Sequence, residues 1–302
     1  MAFSTLYSAI TRGKWLIDPR EVESNQVMIN LLLNKESNSA PGKLSDKTPM
    51  IVSAVSEKEM KSGNNFSDAP QDSIAIISLH GTMLKYGTMC AYGCTEIADM
   101  LTEAANSPKI SGAILDIDSG GGAVDAIAPL VDAIKLCQSK GKPVVALCDL
   151  CASAAFYTAC YCDEIISSNS ISAEFGSIGV MLSFPDYTKY YETQGIKMHT
   201  VYSTHSNYKN ASFEAAKEGK YDAIRQEELD PIALTFQNAV KEKRSEKLDL
   251  KIDGIIAGKM FYATEAKKVG LIDSIGTKDF ALQRVREIRS DALVNDYINS
   301  KS

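Results

Sequence analysis

Between residues 73 and 203 the chain alternates short apolar runs with segments of helical pattern, and this alternation constrains its fold more than any other feature. Apolar runs that are rich in branched residues and bounded by turn residues are typical of buried strands. Strands that alternate with helices predict an α/β fold with a mostly parallel sheet and crossover helices. The expected strands are 73–81, 112–118, 142–149, 163–168, 178–183 and 196–203.

Helices are expected in the stretches between these strands and beyond the last of them. A proline fits the first turn of a helix but costs about 3 kcal/mol in its interior. The helix after the second expected strand contains Pro129. To place this proline in the first turn, the helix is expected to begin near Ala126, which leaves 120–125 as a turn. The expected helices are 95–105, 126–139, 153–161, 187–195, 221–247 and 264–269.

Composition divides the chain into four segments. Residues 1–33 carry a helical apolar stripe, whereas residues 34–71 are rich in Ser, Asn, Lys, Pro and Gly, which favours a flexible linker. The alternating pattern then defines an α/β domain over 72–290, with 291–302 as a C-terminal tail.

The charge balance argues against some partners. Lys and Arg total 32 against 38 Asp and Glu, a net charge of −6, and no basic run stands out. This composition does not favour nucleic acid as a partner. The N-terminal segment has no apolar stretch of about 18 residues that could span a bilayer and no export-signal pattern. We therefore expect a cytoplasmic protein without a membrane anchor.

The seven cysteines are an odd number, and several lie inside apolar segments, which favours reduced and buried thiols. Cys148 and Cys151 form a C-x-x-C pair, but no second Cys or His pair has metal-ligand spacing. Core packing is therefore favoured over a metal site.

A glycine-rich turn, DIDSGGGAV (116–124), follows the second expected strand and precedes a helix. Glycines let backbone N–H groups approach a ligand without interference from a Cβ atom. Amides at a helix start suit an anion, either a phosphate or the oxyanion of a tetrahedral intermediate. The segment is neither a P-loop nor G-x-G-x-x-G, and taken alone it fits a plain tight turn equally well.

A second segment, DLCASAAFY (149–157), places Ser153 among small residues between a strand end and a helix start. That position exposes a hydroxyl beside helix N–H groups, as a nucleophile requires. An N-cap serine occupies the same position, and on this segment alone a helix cap is the simpler interpretation.

A nucleophilic serine needs a base, and the sequence favours a lysine over a histidine. The three histidines are His80, His199 and His205, and none follows Ser153 closely. A lysine can accept the proton if burial lowers its pKa from about 10.4 toward 7–8.

Four blocks, in order, resemble the signal peptide peptidase A family of Ser–Lys peptidases, which have the ClpP/crotonase fold. DSGGGAV resembles the family's N-S-P-G-G-S-V turn, and DLCASAAFY resembles its D-x-A-A-S-G-G-Y segment. EFGSIGVM (174–181) matches its T-G-S-I-G-V block. IIAGKMFYATEAKKVGLIDSIGTKDFA (255–281) follows its C-terminal G-L-[IV]-D signature. The resemblance covers residues 73–285 and implies a repeated β-β-α arrangement with a C-terminal helical extension.

Carried over by position, the resemblance implies that Ser153 is the nucleophile. The family's base lies beyond the GSIG block in an S-G-x-x-K segment, which reads VYSTHSNYKNAS (201–212) here, so Lys209 is the candidate and Lys217 the fallback. Ser177 would correspond to the hydroxyl that orients the lysine. The sequence lacks the usual glycine in the lysine segment.

The implied oxyanion hole uses backbone N–H groups of Gly121 or Gly122 and of Ala154. Gly120 stands where the family has proline, and Ala154–Ala155 stands where it has Gly-Gly. The resemblance implies hydrolysis of peptide bonds through an acyl-enzyme, without a metal or another cofactor, by a ring-shaped homo-oligomer.

The segment ITRGKWLIDPR (10–20) is similar to the start of the phage-encoded branch, whose peptidases process scaffold and capsid proteins inside the prohead. Three alternatives remain open: a cytoplasmic peptidase that clears signal-peptide remnants, a catalytically silent assembly protein, and a crotonase acting on acyl-CoA. The crotonase alternative leaves the Ser153 and GSIG blocks unexplained.

Overall fold

The computed structural model of the chain describes residues 15–17, 50–52, 59–61, 66–87, 92–184 and 186–300. The strands are β1 (Trp15–Ile17), β2 (Met50–Val52), β3 (Glu59–Lys61), β4 (Ser73–His80), β5 (Ile110–Ser119), β6 (Gly121–Ala123), β7 (Val144–Ala152), β8 (Glu164–Ser167), β9 (Glu174–Gly176), β10 (Met260–Tyr262) and β11 (Ser274–Ile275).

The α-helices are α1 (Cys94–Asn106), α2 (Ile127–Ser139), α3 (Ala154–Ala159), α4 (Thr188–Thr193), α5 (Ala211–Lys217), α6 (Asp222–Ile224), α7 (Asp230–Arg244), α8 (Ala263–Lys268) and α9 (Lys278–Asn299). A π-helical turn, Arg225–Leu229, joins α6 to α7, so the helix expected over 221–247 is present with one irregular turn. A 3-10 turn, Val124–Ala126, leads into α2, which places Pro129 in the first α-helical turn as expected.

Within the described residues, nine strands form one sheet, in which β10-β9-β7-β5-β4-β2-β3 lie in order and β11-β8 branches from β7. The central pairs β4–β5, β5–β7, β7–β8 and β7–β9 are parallel. Antiparallel pairs occur toward the edges, where β10 joins β9 and β2 joins β4. The predicted α/β class with a mostly parallel sheet is confirmed.

The succession β5, β6 and α2 gives one β-β-α unit, in which a long sheet strand is followed by a short strand outside the sheet and then by a helix. The short strand pairs with β1 and forms a bridge to Met83, which follows β4. This arrangement agrees with the ClpP/crotonase-like fold that the sequence predicts.

The sheet is covered on both faces because its side chains alternate between two apolar clusters. Leu115 and Ile117 of β5 pack with α1, α2 and α3 on one face. Ile114 and Val145 pack with Leu282 of α9 on the other face. The C-terminal helix predicted as an extension is thus part of the core.

A buried ion pair fixes α7 to the end of the sheet. Arg244 is 5% exposed and donates to both carboxylate oxygens of Asp273, at 2.9 and 3.0 Å, and to Gly270 O at 2.9 Å. Asp273 also accepts the N–H of Ile165 at 2.8 Å. Burial works to raise the pKa of Asp273, but hydrogen bonds from Arg244 and Lys247 outweigh it and hold that pKa below its ordinary value. The aspartate of the GLID block therefore has a structural role.

Two strand predictions are wrong. The strand expected over 178–183 is absent, and a strand is found just before it, as β9. Gly176 and Ser177 have φ values of 125° and 53°, which turn the chain out of the sheet after β9. The stretch 196–203 is irregular. Its apolar residues face solvent, with Met198 72% and Val201 91% exposed, so no neighbouring strand or core supports an extended pairing.

The described parts of the N-terminal region differ from the expectations for that region. Residues 15–17, within the expected helical segment 1–33, form a strand, and β2 and β3, within the expected linker 34–71, extend the sheet. Helix α9 runs through position 291, where the C-terminal tail was expected to begin. The rest of 1–65, and residues 301–302, lie outside the described residues, and the domain boundaries stay predictions. No helix in the described part of the chain is both long enough and apolar enough to cross a bilayer.

Candidate active site

Ser153 lies at a sharp turn from β7 into α3, and its backbone is strained. Its φ and ψ are 54° and −118°, a region that residues with a side chain rarely adopt. Such a conformation costs about 1–3 kcal/mol and persists only where the surrounding structure holds it. In α/β-hydrolases, the nucleophilic serine also lies on a strained strand-to-helix turn.

The Ser153 hydroxyl is buried and has no hydrogen-bond partner within the described residues. The residue is 1% exposed and occupies the N-cap position of α3, yet its side chain makes no capping bond. Its carbonyl instead starts the helix by accepting the N–H of Tyr157 at 2.9 Å. A buried hydroxyl without a hydrogen-bond partner destabilises the folded state, whereas the hydroxyl of a capping serine would be bonded to a helix N–H. This geometry favours the nucleophile over the cap.

The GSIG block holds the turn from the other side. Gly176 pairs with Ala152 at the end of β7, and its carbonyl accepts the N–H of Ser153 at 2.9 Å. Ser177 follows directly, with 9% of its surface exposed, and its N–H donates to Lys259 O at 3.1 Å. The structure therefore brings the predicted Ser153 and Ser177 segments together.

The glycine-rich turn approaches the same end of β7, since Ser119 pairs with Cys151. Met83 binds β6 through two backbone hydrogen bonds, donating to Gly121 O at 2.8 Å and accepting from Ala123 N at 2.9 Å. A Cβ atom on Gly122 would lie 2.1 Å from Met83 O, so only glycine fits there.

The three predicted oxyanion donors differ in their surroundings. The Gly121 N–H donates to Ser119 Oγ at 3.1 Å and is therefore engaged. The Gly122 N–H points away from Met83, because neighbouring residues of a strand face opposite edges. Ala154 is the first residue of α3, where an N–H has no partner inside the helix. Gly122, along whose edge β1 pairs, and Ala154 are thus the two whose N–H groups are not bonded within their own turns.

The structure does not bring the predicted lysines to Ser153. Lys209 is exposed in an irregular segment, and its N–H donates to Ser206 O at 3.0 Å. The Lys217 ammonium lies 3.1 Å from Glu214 Oε2 on the surface of α5. No hydrogen bond or ion pair in the described ranges joins either lysine to Ser153.

A histidine–carboxylate pair is present but lies on the wrong face of the sheet to serve Ser153. His80 Nε2 lies 3.1 Å from Asp116 Oδ2. By the alternation along β4 and β5, both residues share the face of Ile76 and Ile114, which α9 covers. Helix α3 packs on the opposite face.

The cysteines behave as core residues where the structure describes them. Cys94, Cys137, Cys148, Cys151 and Cys160 are buried, whereas Cys90 lies outside the described residues. Burial raises the pKa of the Cys94 thiol to about 12, which keeps it protonated and unreactive. Over the described ranges, no cluster of three or more His, Cys, Asp or Glu side chains could hold a metal ion.

Sequence reasoning missed three residues that shape the site. Ser119 Oγ links Gly81 O, at 2.6 Å, to the Gly121 amide, while Met83 and Lys259 act through their backbone groups. The serine of the DSGGG block was a usable signal for the first. Nearly every residue type has the backbone N–H and C=O groups that Met83 and Lys259 use, so the sequence carried no signal for these two residues.

Gly176→Ala is expected to disturb the Ser153 turn. A Cβ at position 176 would lie 2.3 Å from Lys259 O, at a φ of 125°. We expect a loss of about 1–3 kcal/mol in the free energy of unfolding, measured by urea denaturation. Gly179→Ala is the matched control, since its nearest atom would lie 4.0 Å away. Equal stability of the two variants would contradict this account of the turn.

With this geometry in place, comparison with known proteins is informative. The sequence model for peptidase family S49 matches residues 137–291, which include the Ser153 turn, the GSIG block and the GLID block. The chain is 30% identical over 216 residues to the chloroplastic serine protease SPPA of Arabidopsis thaliana, covering 68% of this chain and 31% of that protein.

A phage protein is also similar. The capsid assembly protease C of Escherichia phage lambda is 25% identical over 222 residues, covering 71% of this chain and 49% of that protein. The chain thus spans less than half of either curated relative. The solved structure of the 1510-N membrane-bound stomatin-specific protease superimposes with a TM-score of 0.47 at 16% identity, over 72% of this chain and 85% of that one.

Proposed function

Because the chain belongs to peptidase family S49, we propose that it is a serine endopeptidase that uses Ser153 as nucleophile and a lysine as general base. The observation that carries the proposal is the strained Ser153 turn with its buried, unpartnered hydroxyl. Backbone strain and an unsatisfied buried hydroxyl both destabilise the folded protein. When both occur at one serine, they support a catalytic role for that serine.

Gly122 and Ala154 are the proposed oxyanion donors. The Ala154 amide directly follows Ser153 at the start of α3, and Gly122 lies on β6, which contacts α3. A pair of fixed N–H groups stabilises the negative charge that develops on the carbonyl oxygen in the transition state. The Ser119 bond to Gly121 fixes the glycine turn before the substrate arrives.

Lys209 is the proposed base, with Ser177 as the hydroxyl that orients it. Supporting this choice, Ser177 adjoins the nucleophile turn, and the described histidine–carboxylate pair belongs to the opposite face of the sheet. Since Lys209 is exposed in the isolated chain, the proposal requires the segment 196–210 to fold over the site when the active form assembles.

The chemistry then proceeds by acyl transfer. The neutral lysine takes the Ser153 proton, Oγ attacks the peptide carbonyl carbon, and the oxyanion accepts hydrogen bonds from the two amides. The C–N bond breaks as the leaving amine takes the proton from the lysine. Water, deprotonated by the same lysine, attacks the acyl-enzyme. The bond from the acyl carbon to Ser153 Oγ then breaks, Oγ takes the proton back from the lysine, and the new carboxyl terminus is released.

The direct test is covalent labelling with a fluorophosphonate probe. We expect one adduct on the purified chain, which peptide mass spectrometry should map to Ser153. A folded chain that takes up no probe even when residues 15–17 can no longer pair with β6 would overturn the peptidase proposal and favour a silent assembly protein. An adduct on a different serine would overturn the assignment of the nucleophile.

We also propose a role in phage head maturation, within the host cytoplasm or the prohead. The support is the similarity to capsid assembly protease C of phage lambda and the resemblance of residues 10–20 to the phage branch. Scaffold or capsid polypeptides are the corresponding proposed substrates. Portal and capsid genes beside the coding gene would support this role, whereas a neighbourhood of bacterial secretion genes would favour the clearance of signal-peptide remnants.

A homo-oligomer is the proposed active form. Large apolar side chains are exposed around the Lys209 segment, which is unusual unless another surface covers them. They are Tyr187, Tyr190, Ile196, Met198, Val201 and Tyr208. A monomeric mass in light scattering at assay concentrations would count against this proposal.

A further inference from the structure

Strand β1 occupies an unusual position for an N-terminal segment. It pairs antiparallel with β6, with Ile17 opposite Gly121, Leu16 opposite Gly122 and Trp15 opposite Ala123. The edge of β6 that it covers is the edge that presents the Gly122 amide. The chain's own backbone therefore lies where the proposed oxyanion donor faces.

The register defines which backbone groups meet. Gly121 O and Ala123 N are both bonded to Met83, so the N–H and C=O of Gly122 point to the opposite edge, toward β1. In an antiparallel pair, two residues that face each other in this way exchange both of their hydrogen bonds. The Leu16 carbonyl is thus the group that accepts the Gly122 N–H.

We propose that residues 15–17 hold the position of the substrate's strand and keep the protein in a self-blocked state. The proposal rests on the proposed peptidase function, because it takes the Gly122 amide as an oxyanion donor. Leu16 then stands for the residue whose carbonyl is attacked. An extended substrate would add to β6 in the same direction, with an apolar residue opposite Gly122, and must first displace β1.

The sequence around β1 suits a removable strand. The apolar WLI triplet is followed by Asp18 and by Pro19, and proline is disfavoured within paired strands. Only three residues pair, and a strand this short is marginal on its own. A substrate with a longer extended stretch can therefore compete with it.

The test is a proline scan of β1 in the full-length chain. Leu16→Pro removes the N–H that bonds Gly122 O, whereas Ile17→Pro, the matched control, removes an N–H that faces away from β6. We expect Leu16→Pro to hydrolyse fluorescein-labelled casein, and to take up the fluorophosphonate probe, at least about fivefold faster than wild type. Ile17→Pro and Leu16→Ala, which keep the backbone bond, should stay within about twofold. Equal rates for all four folded chains would overturn the blocking role and leave the peptidase function intact.

Hydrogen exchange separates this inference from the function. The Gly122 amide should exchange faster in Leu16→Pro than in wild type or Ile17→Pro, whether or not any chain is active. Unchanged protection would overturn the strand position itself. A wild-type chain found cut between Leu16 and Ile17 would also overturn the self-blocked state, since β1 would then be a substrate rather than a block.

Discussion

Ser153→Ala is expected to abolish hydrolysis of labelled casein, with a fall in kcat/KM of at least about 10³-fold, and to abolish fluorophosphonate labelling. The alanine removes the only atom that can form the acyl-enzyme in the proposed mechanism. It also removes a buried hydroxyl that has no hydrogen-bond partner in the described part of the chain. Removal of an unsatisfied polar group leaves stability unchanged or raises it.

Stability therefore distinguishes a catalytic serine from a structural one. We expect Ser153→Ala to have a free energy of unfolding that is higher than that of wild type, or lower by no more than about 0.5 kcal/mol. Ser177→Ala is the comparison, because it changes a neighbouring serine that also has a positive φ, 53°. It should keep its labelling site at Ser153 while losing rate. Full activity in Ser153→Ala would refute the assignment, and a large loss of stability would indicate a structural role.

Lys209→Ala is expected to lower kcat/KM by about 10²–10⁴-fold, the range that general acid–base catalysis contributes. Lys209→Arg should be just as inactive, because a guanidinium keeps the charge but cannot give up its proton near neutral pH.

Lys217→Arg is the matched control for this second prediction. Its ammonium pairs with Glu214 on the surface of α5, so an arginine can replace it and the rate should stay within about twofold of wild type. The reverse pattern, with Lys217→Arg inactive and Lys209→Arg active, would transfer the role of base to Lys217. Full activity in both would show that the base is neither residue.

The central fold could be predicted because its signals are local. Apolar runs for β4, β5, β7 and β8, separated by helical periods, specify a parallel α/β sheet whatever the rest of the chain does. The stretch 196–203 failed because the same kind of run says nothing about whether a partner edge exists. Ile196 and Val201 are exposed, so packing in the core of this chain does not explain why these residues are apolar.

The candidate site was predictable only in part, for a related reason. Motif resemblance pointed to Ser153, Gly122 and the GSIG block. The structure joins the Ser153 turn to the GSIG block and packs β6, which carries Gly122, against α3. The contributions of Met83 and Lys259 are hydrogen bonds of backbone atoms, which many residue types can supply. The pairing of β1 with β6 was also invisible, since a three-residue strand has too little pattern to separate it from a helix turn.

The frame around Ser153 has a consequence for the time at which activity can appear. The turn depends on Gly176, and the segment of Gly176 and Ser177 is held in turn by Lys259 and by the antiparallel pairing of β10 with β9. These partners lie far apart in sequence, and such contacts form late because the intervening chain must first be ordered. During translation, the nascent chain has Ser153 long before it has the strand that holds the GSIG block in place. Under the proposed function, synthesis through β10 would therefore be a checkpoint before which no peptidase activity is expected.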